Sequence, residues 1–232
     1  MERYSINAKN EVITSLIPAY NSGSITTLYG NAASGKTTSC LLAAIEASKH
    51  GKILYLDTES GFNTNRLKQL HSDASLLERI FLVRIKSFGV QHDTILKLHE
   101  LCNNEKIKLV IVDTIGNHYR VALNNNVKEV NSMMSLQLQI LTRIARDLNK
   151  VVLLTNQVSS KMNGRNEIQM VGGNMIAKMS KCIIELHKKD EIRYATLVKY
   201  KTDIANTSYY KLKKSVKFEI IEKGLILKQQ AR

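Results

Sequence analysis

The sequence predicts an α/β fold: a mostly parallel central sheet flanked by helices, with antiparallel C-terminal edge strands. Three observations predict it. Short, nearly all-apolar runs alternate with helical stretches along most of the chain, and strands buried on both faces by helices read this way. The first of these runs leads into a glycine-framed loop and then a helical stretch, a strand–loop–helix order. The last forty or so residues lack helical periodicity and read as antiparallel strands closing one edge. A length of 232 residues and 44% hydrophobic content suit one domain spanning 1–232 with a substantial core. The single proline, Pro18, leaves no proline-rich linker to divide it.

In chain order, strands are expected at 25–29, 52–57, 80–84, 108–113, 151–155, 181–187 and 193–200. Further strands are expected at 209–213, 216–221 and 224–227. Helices are expected at 36–49, 63–71, 90–104, 127–149 and 174–179. In 127–149, Val130, Met133, Met134, Leu138, Leu141, Ile144, Ala145 and Leu148 recur at helical spacing. That stripe reads as a core-facing surface, with a methionine-rich partner groove as the lesser alternative.

The loop is Gly30-Asn31-Ala32-Ala33-Ser34-Gly35-Lys36-Thr37, followed by Thr38, and has the pattern G-x-x-x-x-G-K-T. It stands between the strand Ile25-Thr26-Thr27-Leu28-Tyr29 and a helix, the context this motif requires. Gly30 and Gly35 let the backbone wrap a phosphate, with successive N–H groups forming an anion nest. The helix N-terminus adds partial positive charge. Lys36 can reach the β- and γ-phosphates of ATP, and the Thr37 hydroxyl can ligate Mg2+. Chance occurrence in a glycine-rich turn would not explain both flanking elements.

Three further acids and amides fall at strand ends. Asp113 ends the apolar run Leu109-Val110-Ile111-Val112 and can hold the magnesium ion through water; capping of the next turn is the competing reading. Asp57-Thr58-Glu59 ends strand 52–57, and Glu59 can orient or deprotonate an attacking water; a solvated loop acid is the alternative. Gln157, in Thr155-Asn156-Gln157, can sense the γ-phosphate and pass its state to the next loop. That loop, 159–171, carries Lys161 and Arg165 and ends in Gly172-Gly173-Asn174.

The net charge is +14, from 34 basic and 20 acidic residues. Such a field attracts the phosphate backbone of nucleic acid, although a generally basic proteome would look the same. Residues 188–232 hold twelve Lys or Arg against five Asp or Glu. Lys199-Tyr200-Lys201 and Tyr209-Tyr210-Lys211-Leu212-Lys213-Lys214 interleave aromatics with bases, as in single-strand binding. Lys211, Lys213 and Lys214 are therefore candidate DNA contacts, against the competing reading of solvent-facing strand lysines. Cys40, Cys102 and Cys182 lack C-x-x-C spacing; Cys40 and Cys182 read as small core hydrophobes in a reducing cytoplasm. No secretory run follows the start, and no segment is apolar enough to span a bilayer, so a cytoplasmic location is expected.

Taken in order, these motifs resemble the ATPase core of RecA/RadA-type recombinases, and most closely their short archaeal paralogues. Gly23-Ser24-Ile25-Thr26, the phosphate loop, Tyr55-Leu56-Asp57-Thr58-Glu59, Arg66-Leu67, Leu109 to Asp113, Thr155-Asn156-Gln157-Val158 and Gly172-Gly173-Asn174 carry the resemblance over about 12–227. It implies a RecA-like P-loop NTPase core using ATP and Mg2+, with weak DNA-linked ATP hydrolysis. Glu59 matches the catalytic glutamate, Arg66 the arginine packing on adenine, and Gln157 the γ-phosphate sensor. The segment after Tyr119-Arg120 matches the first DNA-binding loop and 159–171 the second. Lys178 falls where family members reach toward a neighbouring subunit's nucleotide. The chain begins almost at the core, without the family's helical N-terminal domain, aromatic-x-x-Ala motif or proline-containing cap. The resemblance thus implies an accessory protein of DNA repair and homologous recombination, nucleoid-associated. Its implied partners are DNA, single-stranded by preference, the main RadA-type recombinase and other repair proteins, with no membrane. The alternative is a KaiC-like signalling ATPase without a DNA role.

Overall fold

The structure is a computed structural model that describes residues 2–124, 126–160, 168–201 and 214–228. The chain opens with β1 (Ser5–Ile6), the short helix α1 (Glu11–Thr14) and β2 (Tyr20–Asn21), which returns antiparallel to β1. Then follow β3 (Ser24–Tyr29), α2 (Lys36–Ser48), β4 (Lys52–Asp57), α3 (Thr64–Leu70), a 3-10 turn at Ala74–Arg79, β5 (Ile80–Arg84) and α4 (Phe88–Cys102). The middle of the chain forms β6 (Ile107–Asp113), α5 (Asn117–Ala122), α6 (Val127–Asp147) and β7 (Val151–Asn156). β8 (Val158–Ser160) and β9 (Ile168–Met170) pair antiparallel, and α7 (Gly173–Met179) leads into β10 (Ser180–Lys189). β11 (Ile192–Tyr200), β12 (Ser215–Ile221) and β13 (Gly224–Leu227) complete the described chain.

Nine strands form the central sheet, in the order β13-β12-β11-β10-β3-β7-β6-β4-β5. From β10 to β5 every pairing is parallel; β10 through β13 pair antiparallel. The alternation of a strand decides which core each residue joins. Ile53, Tyr55, Leu109, Ile111, Val151 and Leu153 pack on the face of α1 and α2. Leu54, Leu56, Val110, Val112, Val152 and Leu154 pack on the face of α4 and α6. Both faces are buried, which is why these runs carry no polar alternation.

The expected strands stand within a residue or two of their forecast ends, except 209–213, which lies outside the described residues. Helix 90–104 begins earlier, at Phe88, because the Ser87 hydroxyl caps it, accepting from Val90 N at 3.3 Å. In α6 the stripe points inward: Val130, Met134, Leu138, Leu141, Ile144 and Ala145 are buried. Met133 and Leu148 only flank that core, and Gln137 joins it, accepting from Gln91 Nε2 at 2.8 Å. A methionine groove is thereby ruled out for Met134, which has no exposed surface. Three segments differ from expectation. The ends of the stretch expected as the 159–171 loop pair as β8 and β9. The N-terminal elements were not forecast, being too short for periodicity. Tyr119 and Arg120, expected to lead into a loop, lie inside α5. All three cysteines are buried and free, and burial pushes the Cys182 thiol up to about 12. No helix of the described residues is long and apolar enough to cross a membrane.

Candidate functional site

The carboxyl ends of β3, β4, β6 and β7 lie side by side, and the loop 30–35 leaves the first of them. Ligands bind at this edge in open α/β sheets. The loop is fixed from outside. Asn31 Oδ1 accepts from Lys188 N at 3.1 Å and its Nδ2 donates to Lys188 O at 3.2 Å. Arg193 Nε donates to Ala33 O at 3.1 Å, and Gly30 N donates to Asn156 O at 3.2 Å. Ala32 and Ala33 are exposed, and Ala33 and Gly35 have φ of 56° and 99°. Gly35 tolerates that conformation without a Cβ penalty.

Gly30 is required for a reason the motif does not reveal. A Cβ there would lie 1.6 Å from Leu186 O of β10. Gly30→Ala is therefore expected to destabilise the fold by roughly 3 kcal/mol, combining overpacking with backbone displacement. Chemical denaturation checks this, and wild-type stability in that variant would show that β10 can yield.

Lys36 Nζ donates to Gly30 O at 3.0 Å and Asn31 O at 2.7 Å. Burial lowers its pKa, while Glu59 and Asp113 pull it back up. Ser34 Oγ is buried with no hydrogen-bond partner among the described residues. A lysine, an orphaned hydroxyl and a helix N-terminus that converge on one loop fit a polyphosphate. Thr37 and Thr38 follow in the first turn of α2, both partly buried.

Asp113 is 3% exposed at the end of β6. Its Oδ2 accepts from Tyr55 OH at 2.6 Å and its Oδ1 accepts from the Thr155 hydroxyl, and the Thr37 hydroxyl comes near enough to favour the charged carboxylate. Burial pushes its pKa up, and these hydrogen bonds oppose that shift. The meeting of Thr37 with Asp113 joins the two side chains the sequence assigns to magnesium. One carboxylate and one hydroxyl, with oxygens left to substrate and water, suit that ion.

Glu59 is exposed, and its Oε1 accepts from Thr114 Oγ1 at 2.8 Å and from Gln157 Nε2 at 2.6 Å. Buried Asp57 shapes the turn that carries it, accepting from Glu59 N at 3.2 Å, Gly61 N at 3.0 Å and Phe62 N at 3.0 Å. Thr58 Oγ1 donates to Thr114 O at 2.7 Å and accepts from Thr114 N at 2.8 Å, locking the ends of β4 and β6 together. Asn156, fully buried, donates through Nδ2 to Val171 O at 2.6 Å and accepts from Gln157 N at 2.9 Å. It thus ties Gln157 to the far end of the β8–β9 hairpin. Sequence reasoning missed the parts played by Asp57, Thr114 and Asn156. Only the unusual Asn between Thr155 and Gln157 hinted at one of them.

Other forecast residues fall outside this cluster. Arg66, half-buried on α3, donates from Nη1 to Glu222 O and from Nη2 to Ile221 O, both at 2.8 Å. The guanidinium so joins α3 to the β12–β13 turn, which packs over Gly35 through Phe218, Ile220 and Leu225. Arg120 is exposed on α5 and Lys178 in the last turn of α7. Lys214 is exposed, its carbonyl accepting from Leu197 N at 2.9 Å. Lys161, Arg165, Lys211 and Lys213 lie outside the described residues.

This sheet order, with a phosphate-type loop after β3 and acids ending β4 and β6, defines a RecA-like P-loop NTPase core. The family model described as Rad51 matches residues 7–218, and the chain belongs to the Rad51 family. It is similar to proteins named DNA repair and recombination protein RadB. One, from Archaeoglobus fulgidus, is 33% identical over 228 residues, covering 97% of this chain and 99% of that protein. Another, from Methanococcus maripaludis, is 35% identical over 207 residues, covering 87% and 90%. A third, from Methanocaldococcus jannaschii, is 33% identical over 208 residues, covering 88% and 92%.

Proposed function

We propose that this chain is an ATP-binding DNA repair and recombination protein that binds DNA, hydrolyses ATP slowly and regulates a main RadA-type recombinase. The observation that carries the reading is the 2.6 Å hydrogen bond from Gln157 Nε2 to Glu59 Oε1. It links the carboxylate suited to activate water with the residue that opens the β8–β9 hairpin. The names of the similar proteins support the repair and recombination setting.

In this reading Lys36, Ser34 Oγ and the backbone N–H groups of 30–38 hold the phosphates of ATP, and Arg66 receives the adenine. Thr37 and Asp113 hold the magnesium ion, which when bound supplies charge stabilisation at the phosphate oxygens. Glu59 orients the attacking water and accepts its proton. Lys36 offsets the charge that develops on the γ-phosphate. Gln157 follows that phosphate and, through Asn156 and Val171, biases the hairpin and the 159–171 loop. Arg120, Lys161, Arg165, Lys211, Lys213 and Lys214 meet DNA, single-stranded by preference. A cytoplasmic, nucleoid-associated location follows from that activity.

The test is fluorescence anisotropy of a labelled single-stranded oligonucleotide with no nucleotide, ADP, ATP or a non-hydrolysable analogue. The ATP and ADP states are expected to differ in DNA affinity by about fivefold or more, the lower end of ordinary coupling between sites. Equal affinity in all four states removes the switch. Absence of binding in every state removes the DNA role and leaves a signalling ATPase.

A further inference from the structure

The helical layer beside the site holds two glutamines that the nucleotide reading leaves unused. Gln91 on α4 and Gln137 on α6 are both fully buried, where these helices pack the apolar core of that face. A polar side chain in such a place costs stability unless its hydrogen bonds are made. Gln91 Nε2 donates to Gln137 Oε1 at 2.8 Å and to the main-chain Ile115 O at 3.1 Å. The Ile115 carbonyl can only accept, so it fixes which way the Gln91 amide faces. In that orientation Gln91 Oε1 is buried and has no hydrogen-bond partner among the described residues. An apolar side chain of similar size would leave no such orphan. Packing alone therefore does not account for Gln91, whereas its bond to Ile115 does.

Ile115 stands in the turn that supports Glu59. Directly before it, Thr114 donates through Oγ1 to Glu59 Oε1 at 2.8 Å and exchanges two bonds with Thr58. After it, Asn117 Nδ2 donates to Thr58 O at 2.8 Å. Ile115 N itself donates to Thr155 O of β7 at 3.0 Å. These bonds tie the turn to the ends of β4 and β7. Gln91 takes the Ile115 carbonyl from the helical layer, so the turn is held from the sheet through one backbone group and from α4 through the other. Gln91 is itself fixed in the first turn of α4, where its N–H donates to the carbonyl of the capping Ser87 at 2.9 Å.

The structure assigns Gln91 as a positioning residue for Glu59: it anchors the 114–117 turn to α4 and so holds the Thr114 hydroxyl, and with it the Glu59 carboxylate, where a water can be activated. Gln91 is closed off from solvent, so it acts through Ile115 and Thr114 and not on the nucleotide. The inference rests on the reading of Glu59 as the group that orients the attacking water. Loss of this anchor leaves the phosphate cradle intact and displaces the base. A displacement on the order of 1 Å costs about 100-fold in rate.

The experiment measures ATP affinity by titration calorimetry, single-turnover phosphate release and melting temperature in the full chain. Gln91→Leu is expected to slow turnover about 10- to 100-fold, with ATP affinity within about twofold of wild type. Gln137→Leu, equally buried in the same interface, keeps the bond to Ile115 and should leave turnover within about threefold, whatever it does to the melting temperature. Q91L/Q137L replaces the polar pair by an apolar one, a change that stability tolerates well. It should be as slow as Gln91→Leu and serves if that variant does not fold. In a Glu59→Gln background Gln91→Leu should slow turnover no further, because the two residues act as a unit. Three results each overturn the proposal and leave the reading of Glu59 standing: wild-type turnover in Q91L/Q137L, equal slowing by Gln91→Leu and Gln137→Leu, or further slowing in the Glu59→Gln background. Undiminished turnover in Glu59→Gln overturns both.

Discussion

Lys36→Ala is expected to weaken ATP binding about 100-fold or more, close to 2.8 kcal/mol, while the fold survives. Lys36 is the one side chain of the loop whose ammonium converges on the phosphate cradle, where it donates to Gly30 O and Asn31 O. Its removal takes a charged donor from two loop carbonyls, a loss of about 1.5–3 kcal/mol each that water entering the open loop offsets in part. The loop itself is held elsewhere, by Asn31 on Lys188, Arg193 on Ala33 and Gly30 on Asn156. Removing an ammonium whose charge burial disfavours also offsets part of that loss. Titration calorimetry with ATP and magnesium, beside a denaturation curve, separates the two effects. Normal ATP affinity in the variant would contradict the site.

Glu59→Gln is expected to leave ATP affinity within a few fold and to lower turnover by about 100- to 10,000-fold, the usual contribution of a positioned base. The amide keeps an oxygen for Thr114 Oγ1 and Gln157 Nε2, so the turn built on Asp57 should stand. What is lost is the ability to take a proton. Gln157→Ala should behave differently: it frees Glu59 from its 2.6 Å partner, so the ATP dependence of DNA affinity should shrink more than basal turnover. Single-turnover phosphate release and the anisotropy series measure the two. Undiminished turnover in Glu59→Gln would return Glu59 to a solvated loop acid.

Much of the fold was legible because of how the strands are buried. β4, β6 and β7 sit between two helical layers, so each reads as an unbroken apolar run with its chemistry at its carboxyl end. That is why Asp113, Glu59 and Gln157 could be picked out as a set. Short elements escaped. The four residues of α1 and six of α5 are too few for a period to emerge, and α5 takes up Arg120 and the first two residues of the loop expected after it. Arg66 was legible as a position, but its guanidinium meets the Ile221 and Glu222 carbonyls across 155 residues or more of chain. Asn31, within the motif, has its amide on Lys188, 157 residues away. No local pattern encodes such partners.

The sequence by itself determined the strand–loop–helix that cradles phosphate, the acids and amide at the ends of three strands, the two-sided core and the excess of positive charge. These are local matters: spacing, periodicity and composition specify them. Only the tertiary structure decided why Gly30 must be glycine, that Gln157 bonds Glu59, and that Asn31 of the loop is held by Lys188. The physical reason is strand order. In a sheet ordered β4-β6-β7-β3-β10-β11, residues distant along the chain become neighbours about 4.8 Å apart.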